Sequence, residues 1–230
     1  MSVRLLFPMP VFQYNLLEEG LIDEMYLHEL KADMDGMRRK DPVGRQISNA
    51  YTGWQSNDGV EARPAWTKWV RILNTKMNCE VLPFFGVNPT VCQLSMGNAW
   101  ANINDKGSWN RPHGHNGCFL SGAFYVHADG DEGDFVALNS AGGGTVLSDF
   151  PPCPRIRENH CISPTSGTLL IFPSGCIHMV EPNQTNKDRY RYSVAFNSIT
   201  NYLNAEQRFD NIPIDPDWNL FNIQDGELTK

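Results

Sequence analysis

The sequence predicts a mainly β fold, a β-sandwich or jelly roll that helices near the N-terminus support. Two observations lead to this prediction. Apolar residues recur at helical spacing only before Pro83, whereas short strand-like runs bounded by Gly and Pro follow it. Chains with helices first and short strands afterwards are typical of packed sheets with helices on one side.

The length fits one domain with room for a large core. We expect residues 1–230 to form this domain in three parts. Residues 1–87 would supply helical support and an edge strand, and residues 88–200 the jelly-roll core. Residues 201–230 would form a C-terminal strap.

The N-terminal part predicts one strand and two helices. Residues 1–15 are extended and interrupted by Pro, which favours a sheet edge. Apolar residues recur at helical spacing from Leu16 to Met34, and Gly36 lies near the expected end. Pro64 suits the first turn of a second helix. The apolar stripe of that helix is Trp66, Trp69, Val70, Leu73 and Met77.

Two segments between the predicted elements read as loops. Residues 41–59 are rich in Gly, Asn, Ser and Asp, although Tyr51-Thr-Gly-Trp54 could dock on the body. Gly142-Gly-Gly144 is followed by no Lys-Ser/Thr pair, so we interpret it as a flexible loop and not as a phosphate site. The predicted strands are Thr90 to Ile103, Phe119 to Val126, Phe135 to Leu138, Gly167 to Phe172 and Tyr190 to Ile199.

Composition excludes several classes of function. A net charge of −7 disfavours nucleic acid as a partner, since phosphate contacts need clustered Lys and Arg. No apolar run approaches the roughly 20 residues that span a bilayer, so we expect no membrane partner and a cytoplasmic protein. The six cysteines include no CxxC pair, which favours buried free thiols over a zinc ribbon or a disulfide scaffold.

Three histidines predict a metal site. His113 and His115 are two residues apart, so an extended strand would place both side chains on one side. His178 follows Gly167-Thr-Leu-Leu-Ile-Phe-Pro173, a short apolar run typical of a buried strand. Neutral imidazole is the commonest metal ligand, and such a cluster with open positions suits non-haem Fe(II). His28, His127 and His160 have no such context.

An alternating strand carries a cation towards the same region. In Arg189-Tyr-Arg-Tyr-Ser-Val-Ala-Phe-Asn197 the aromatic residues and Val194 share one face. Arg191, Ser193, Ala195 and Asn197 share the other face. A cation among small neighbours indicates a cavity, and its guanidinium would suit a carboxylate.

Motifs spread over most of the chain resemble those of the Fe(II)/2-oxoglutarate-dependent oxygenases, most closely a branch found in bacteria and marine phages. The matching segments are Leu-Phe-Pro-Met-Pro-Val near the start, Trp100-Ala-Asn102, His113-Gly-His115-Asn, Ser121-Gly-Ala-Phe-Tyr125, Gly167-Thr-Leu-Leu-Ile-Phe-Pro-Ser174, His178-Met-Val and Arg191-Tyr-Ser-Val-Ala-Phe-Asn197. The resemblance implies a double-stranded β-helix with Fe(II) in the barrel mouth, 2-oxoglutarate as cosubstrate and O2 as oxidant.

The metal ligands differ from the pattern that the resemblance implies. The family usually has His-x-Asp/Glu and a distant His, whereas His115 stands here at the position of the carboxylate. Three ligand sets stay open. All three histidines could bind, His113 and His178 could bind with water in the carboxylate position, or His115 could be the first ligand and His113 its neighbour.

The resemblance also implies cosubstrate contacts. Arg191 would anchor the C5 carboxylate of 2-oxoglutarate, with Arg189 as the reserve candidate. Ser193 could add a hydroxyl to that carboxylate, and Tyr125 matches a position where related enzymes have a cosubstrate-binding Tyr. The pocket lining could include Asn102 and Asn197.

The function that the resemblance implies is hydroxylation of a C–H bond with release of succinate and CO2. The substrate would be a small molecule or a peptidyl residue, by likeness to prolyl and aspartyl hydroxylases. The protein would act in the cytoplasm, that of the host if it is viral. Two alternatives stay open: a cupin-like three-His dioxygenase without cosubstrate, and a non-catalytic jelly-roll binding protein. The oligomeric state is not readable from the sequence.

Overall fold

A computed structural model describes residues 9–46, 50–88, 90–139, 159–185, 190–202, 222–224 and 227–229. The mainly β prediction is confirmed, because two antiparallel sheets contain most of the ordered elements. The segments Gly142-Gly-Gly144 and most of the expected C-terminal strap lie outside the described residues.

A six-stranded sheet forms one layer of the jelly roll. Its strand order is β1-β9-β6-β11-β4-β3, and every neighbouring pair is antiparallel. The strands are β1 (Phe12–Asn15), β3 (Trp54–Gln55), β4 (Cys92–Asn104), β6 (Leu120–His127), β9 (Thr168–Pro173) and β11 (Arg191–Tyr202). The predicted edge position of the first strand is therefore confirmed.

A five-stranded sheet forms the second layer, in the order β2-β5-β10-β7-β8. Its strands are β2 (Ala50–Tyr51), β5 (Trp109–His113), β7 (Phe135–Leu138), β8 (Asn159–Ile162) and β10 (His178–Val180). Two short strands near the C-terminus, β12 (Asn222–Gln224) and β13 (Glu227–Thr229), pair with each other.

Alternation along the longest strands separates the core from the cavity. On β11, Tyr192, Val194 and Phe196 belong to the main hydrophobic core, as the sequence predicts. The intervening residues of β11 line a cavity between the two sheets. Trp69 of the helical layer packs on Phe124, with ring centres 5.7 Å apart. The helices therefore cover the outer face of the six-stranded sheet, and its inner face is left for the site.

Both predicted helices exist, but the bounds of the first were wrong. Helix α1 is Glu24–Lys40, because the carboxylate of Asp23 accepts from the backbone N–H of Tyr26 and starts the helix there. Leu16 and Ile22 are buried in the turn that precedes it. The helix continues past Gly36, and three basic residues in its last turn suit the negative end of the helix dipole.

The second helical region is longer than one helix. Two 3-10 turns, Val60–Ala62 and Pro64–Trp66, lead into α2 (Thr67–Lys76). A π-helical turn, Met77–Val81, and the short α3 (Leu82–Phe84) follow. The predicted stripe is confirmed in its main members, since Trp66, Trp69, Leu73 and Met77 are fully buried. No helix in the described part of the chain is long and apolar enough to cross a membrane.

Two expectations about individual segments need correction. The predicted loop 41–59 contains β2 and β3, which extend one sheet each and lie across the turn at Thr52-Gly53. The cysteines are not all buried, because Cys79 and Cys161 lie at the surface. Cys161 is on β8, one of the two edge strands of its sheet, and Cys153 lies outside the described residues.

Candidate metal and cosubstrate site

His113, His115 and His178 meet in the cavity between the two sheets. Their candidate ligand nitrogens all lie within 4.8 Å of one another. The ring centres of His113 and His178 are 4.4 Å apart, and that of His115 is 5.4 and 5.3 Å from them. Within the ranges that the structure describes, this is the one group of three or more His, Cys, Asp or Glu residues that could hold a metal ion.

Strand pairing explains how two of the imidazoles meet. His178 begins β10 and His113 ends β5, and these residues are directly opposed across the antiparallel pair. His115 is not on the strand, contrary to the reasoning from alternation, because β5 ends at His113. Its backbone N–H instead donates to the carbonyl of Ser174 at 2.9 Å, which holds the segment after β5 against the turn before β10.

Each imidazole has an oxygen acceptor for Nδ1. His113 Nδ1 lies 2.7 Å from the carbonyl of Arg111, and His178 Nδ1 lies 3.0 Å from that of Cys176. His115 Nδ1 lies 2.6 Å from Oδ1 of Asn197. These oxygens accept only from a protonated Nδ1, so the neutral tautomer in each case leaves the Nε2 lone pair available for a metal.

The environment keeps the three imidazoles neutral. Burial lowers the pKa of His178 to about 3, with the neighbouring His113 adding to the effect. Burial also lowers the pKa of His113 and that of His115, although the hydrogen bonds that the imidazoles donate to the oxygens of Arg111 and Asn197 work against it. Neutral imidazole is the form that binds a metal. The site is therefore chemically suited to a divalent cation at neutral pH.

Aromatic rings fix the imidazoles from the sides. The rings of Phe135 and Phe172 lie 5.2 and 4.8 Å from that of His178. The ring of Trp100 is stacked with that of His115 at 5.9 Å. Such packing limits the rotation of the imidazoles of His115 and His178 and shields one side of each from water.

Arg191 is the one buried cation that lines this cavity among the described residues. It is 1% exposed, and its Nη1 donates to the carbonyls of Glu132 and Gly133 at 2.7 and 3.0 Å. Its Nη2 is buried with no hydrogen-bond partner in the described part of the chain. Burial lowers the pKa of the guanidinium, but Arg stays charged at neutral pH. An unpaired buried N–H of a cation is costly, so an anionic ligand would be stabilised there.

The cavity of about 320 Å³ brings the other predicted residues together. Tyr125, Ser193 and Asn102 line it with Arg191 and the histidines. Tyr125 is fully buried, and burial raises the pKa of its hydroxyl to about 12, so that it stays protonated. Ser193 is paired with Asn102 across β11 and β4. Arg189, the reserve candidate, lies outside the described residues.

Asn197 contacts a histidine, which was not expected. Its Oδ1 accepts from His115 Nδ1 and from the hydroxyl of Ser121, the latter at 2.8 Å. Its Nδ2 donates to Oδ1 of Asn98 at 3.1 Å. The sequence placed Asn197 in the pocket lining, but it gave no signal for this contact across 82 positions.

Reasoning from the sequence also missed residues on the open side of the cavity. Gln55, Asn98 and Asn110 line it, as does the ion pair of Arg45 with Asp58. Gln55 was assigned to a loop. The expectation that Tyr51-Thr-Gly-Trp54 docks on the body of the protein could have placed it near the cavity, because Gln55 directly follows this segment.

The comparison with protein families identifies the core of the chain. Residues 98–197, a little under half of the chain, match the family described as "Putative 2OG-Fe(II) oxygenase". The match contains His113, His115, His178 and Arg191. This central part of the chain is similar to the 2OG-Fe(II) oxygenases. The resemblance noted in the sequence is thereby confirmed at the level of the superfamily.

Several solved structures share the fold at low sequence identity. A prolyl-4-hydroxylase from Pseudomonas putida is 14% identical, with 81% of this chain and 91% of that chain covered and a TM-score of 0.54. A viral collagen prolyl hydroxylase from Paramecium bursaria Chlorella virus-1, solved with 2-oxoglutarate, is 11% identical, with 82% and 94% covered and a TM-score of 0.53. At such identities the likeness shows the jelly-roll fold alone.

HygX from Streptomyces hygroscopicus, solved with nickel and 2-oxoglutarate, is a further structure with this fold. It is 12% identical, with 83% of this chain and 82% of that chain covered and a TM-score of 0.51. No curated protein matches the sequence.

Proposed function

We propose that the protein is an Fe(II)- and 2-oxoglutarate-dependent dioxygenase that hydroxylates a C–H bond and releases succinate and CO2. The observation that supports this most directly is the pairing, in one cavity, of three convergent imidazoles with a buried guanidinium whose Nη2 has no partner in the described residues. The three imidazoles suit a metal ion, and the guanidinium of Arg191 suits one carboxylate of a dicarboxylic acid.

The metal would be held by His113, His115 and His178. The fit depends on this donor set, because all three side chains are neutral and have Nδ1 engaged by an oxygen. Imidazole ligands suit Fe(II), and a set of three leaves positions open for other ligands. The engaged Nδ1 of His115 favours the three-His set over the two alternatives in which one imidazole is a bystander.

The cosubstrate would be held at its far end by Arg191. The guanidinium is charged, and two backbone carbonyls already fix its position. Binding of a carboxylate to Nη2 would therefore not cost the entropy of ordering the side chain. Ser193 lies two residues further on the same face of β11 and could donate its hydroxyl to the same carboxylate. Tyr125, protonated at neutral pH, could donate a further hydrogen bond.

The chemistry of the reaction belongs to the bound groups, and the protein orients them. When bound, Fe(II) with 2-oxoglutarate and O2 supplies the oxidation of the substrate C–H bond. The hydrogen bond from His115 to Asn197 keeps that imidazole in one tautomer and orientation. Phe135 and Phe172 keep water from the ring of His178. The likeness to prolyl hydroxylases makes a peptidyl residue one candidate substrate.

Two other functions make different demands on the site. A cupin-like three-His dioxygenase has no use for a dicarboxylate anchor, so the unpaired Nη2 of Arg191 argues against it. A non-catalytic binding protein would need no neutral imidazoles with engaged Nδ1 atoms around one point.

Succinate formation in single variants tests the proposal. We expect His178→Ala to abolish turnover of 2-oxoglutarate, and Arg191→Met to raise its KM at least tenfold, because a charge-assisted hydrogen bond contributes about 1.5–3 kcal/mol. His160→Ala and Arg71→Met are matched controls at exposed positions outside the cavity, and both should behave as wild type.

The controls also define the contradicting results. A dioxygenase whose O2 uptake is independent of 2-oxoglutarate would support the cupin-like alternative. Folded wild-type protein that binds no divalent metal and forms no succinate would support the binding protein.

A further inference from the structure

We propose that the substrate presents an uncharged, hydroxyl-rich ring, such as that of a neutral sugar, to a wall of amide side chains beside the metal site. This amide wall consists of Gln55, Asn102, Asn104 and Asn110. The inference rests on the proposed function and adds the chemical class of its substrate. It is argued from the hydrogen-bond capacity, the position and the charge of the cavity lining.

The amide wall has hydrogen-bond capacity that the protein does not use. None of the four side-chain amides is bonded to another residue in the described part of the chain. Gln55 and Asn104 are only 6% and 7% exposed, so these amides are withdrawn from bulk water. Because these amides line the cavity and make no hydrogen bond within the protein, a ligand in the cavity could pair with them without breaking a contact of the fold.

The fold gathers these amides on one side of the cavity. Gln55 on β3 is opposite Asn102 on β4, and Asn104 is opposite Arg191 on β11. Asn110 lies on β5 of the facing sheet. The turn at Thr52-Gly53 joins the edges of the two sheets, which brings Gln55 and Asn110 to the same side. The wall therefore extends from the arginine towards the side on which β2 and β3 meet.

The charges of the lining select against an ionic substrate group. Among the described lining residues, the charged side chains are Arg45, Asp58 and Arg191. Arg45 and Asp58 are paired with each other at 2.9 Å, and each is more than 40% exposed. Arg191 would be used by the cosubstrate. A charged group on the substrate would thus lose water without gaining a counter-ion.

Trp100 adds an apolar surface between the polar groups. It points into the cavity from β4, two residues before Asn102, and is half-buried. A sugar ring has apolar C–H faces and a rim of hydroxyls that both donate and accept, as amides do. A prolyl or aliphatic side chain would leave the amide wall unpaired, which is why we favour a sugar over a peptidyl residue.

A panel of probes tests the class of substrate. The protein with Fe(II) and 2-oxoglutarate is given methyl glycosides of glucose, galactose and N-acetylglucosamine. The matched charged probes are glucuronic acid and glucosamine, and a blocked Gly-Pro-Gly peptide represents the peptidyl class. We expect a neutral sugar to raise succinate formation above its rate without substrate, and the charged probes to do so at least tenfold less.

Direct binding and variants connect the result to the amide wall. With Zn(II) in place of Fe(II), saturation-transfer NMR should detect the same sugar on the protein. Gln55→Leu keeps the volume of the side chain and should weaken the sugar about tenfold, because one hydrogen bond is lost. Gln46→Leu is the matched control, since Gln46 is exposed and does not line the cavity.

Each negative result has one meaning. Stimulation by the peptide, by a charged sugar alone or by no probe overturns this inference, as does full stimulation of Gln55→Leu. In each of these cases wild-type protein that still binds 2-oxoglutarate retains the proposed function. If the wild-type protein binds no 2-oxoglutarate, both the proposed function and the proposed sugar substrate are contradicted.

Discussion

Asn197 offers a sharp test of the metal site, because its side chain is hydrogen-bonded to the imidazole of His115, whereas the other two imidazoles use backbone carbonyls. Its Oδ1 accepts the Nδ1 proton of His115 at 2.6 Å, whereas His113 and His178 use backbone carbonyls. Replacing it in Asn197→Leu removes the acceptor with little change in volume. If His115 is a ligand, this substitution must weaken metal binding.

The expected size follows from the geometry. The lost interaction is one short, partly buried hydrogen bond to a neutral imidazole. Removing the partner of a metal-bound His typically costs 10–100-fold in metal affinity, which is about 1.4–2.8 kcal/mol. The neighbouring hydroxyl of Ser121, which donates to the same Oδ1, also loses its acceptor and adds to the cost.

Calorimetric titration with Ni(II), which is not oxidised by air, measures this loss. Asn197→Asp keeps an acceptor for His115, and Asn98 can turn its amide to donate to the new carboxylate, so we expect an affinity within a few-fold of wild type. Asn201→Leu is the control on the same strand, since Asn201 is exposed and bonded to Ser95. It should bind Ni(II) as wild type does.

The refuting result is equally clear. Folded Asn197→Leu protein with wild-type Ni(II) affinity would show that His115 is a bystander. If His113→Ala and His178→Ala then abolished binding, the set of two histidines and water would replace the three-His set.

Two further predictions concern stability. Gly122→Ala should lower the free energy of unfolding by about 2 kcal/mol or more, because a Cβ there would lie 2.2 Å from a backbone carbonyl oxygen of β9. Gly175→Ala is the control and should change the free energy of unfolding little, because a Cβ there would have nothing within 4 Å. Equal urea midpoints for the two variants would contradict the clash. Hydrogen bonds from Arg63 lower the pKa of Asp33 below its ordinary 3.8, so this carboxylate stabilises the fold above that pH and the contribution is lost as the pH falls through the lowered pKa. Since the pair is partly exposed, Asp33→Asn should cost about 1 kcal/mol at pH 7 and progressively less as the pH falls below 3.8. A cost that does not depend on pH would refute the role of the charge.

The strands that form the site were predictable from the sequence. When one face of a strand is buried, apolar residues occur at every second position. On β11 the alternation of Tyr192, Val194 and Phe196 with smaller residues places Arg191 on the cavity face. The short apolar run before His178 likewise reads as a buried strand, and β9 is buried along most of its length. For both β11 and β9, residues adjacent in the sequence are enough to predict the strand.

Features that depend on distant contacts were not predictable. The apolar spacing from Leu16 onward continues into a buried turn, and only the cap at Asp23 decides where α1 begins. His115 reaches the other imidazoles through a bond to Ser174 and not through strand alternation. The pairing of β3 with β4, which brings Gln55 into the cavity, joins residues about fifty positions apart.

The central claim is that the imidazoles of His113, His115 and His178 and the guanidinium of Arg191 serve one metal and one 2-oxo acid. Anaerobic titration of the protein with Fe(II) and 2-oxoglutarate tests it most directly. We predict a visible absorption band that requires both additions and saturates at one equivalent of Fe(II). In Arg191→Met the same band should appear only at a higher concentration of 2-oxoglutarate. Folded protein that takes up Fe(II) but develops no band at any concentration of 2-oxoglutarate would contradict the claim.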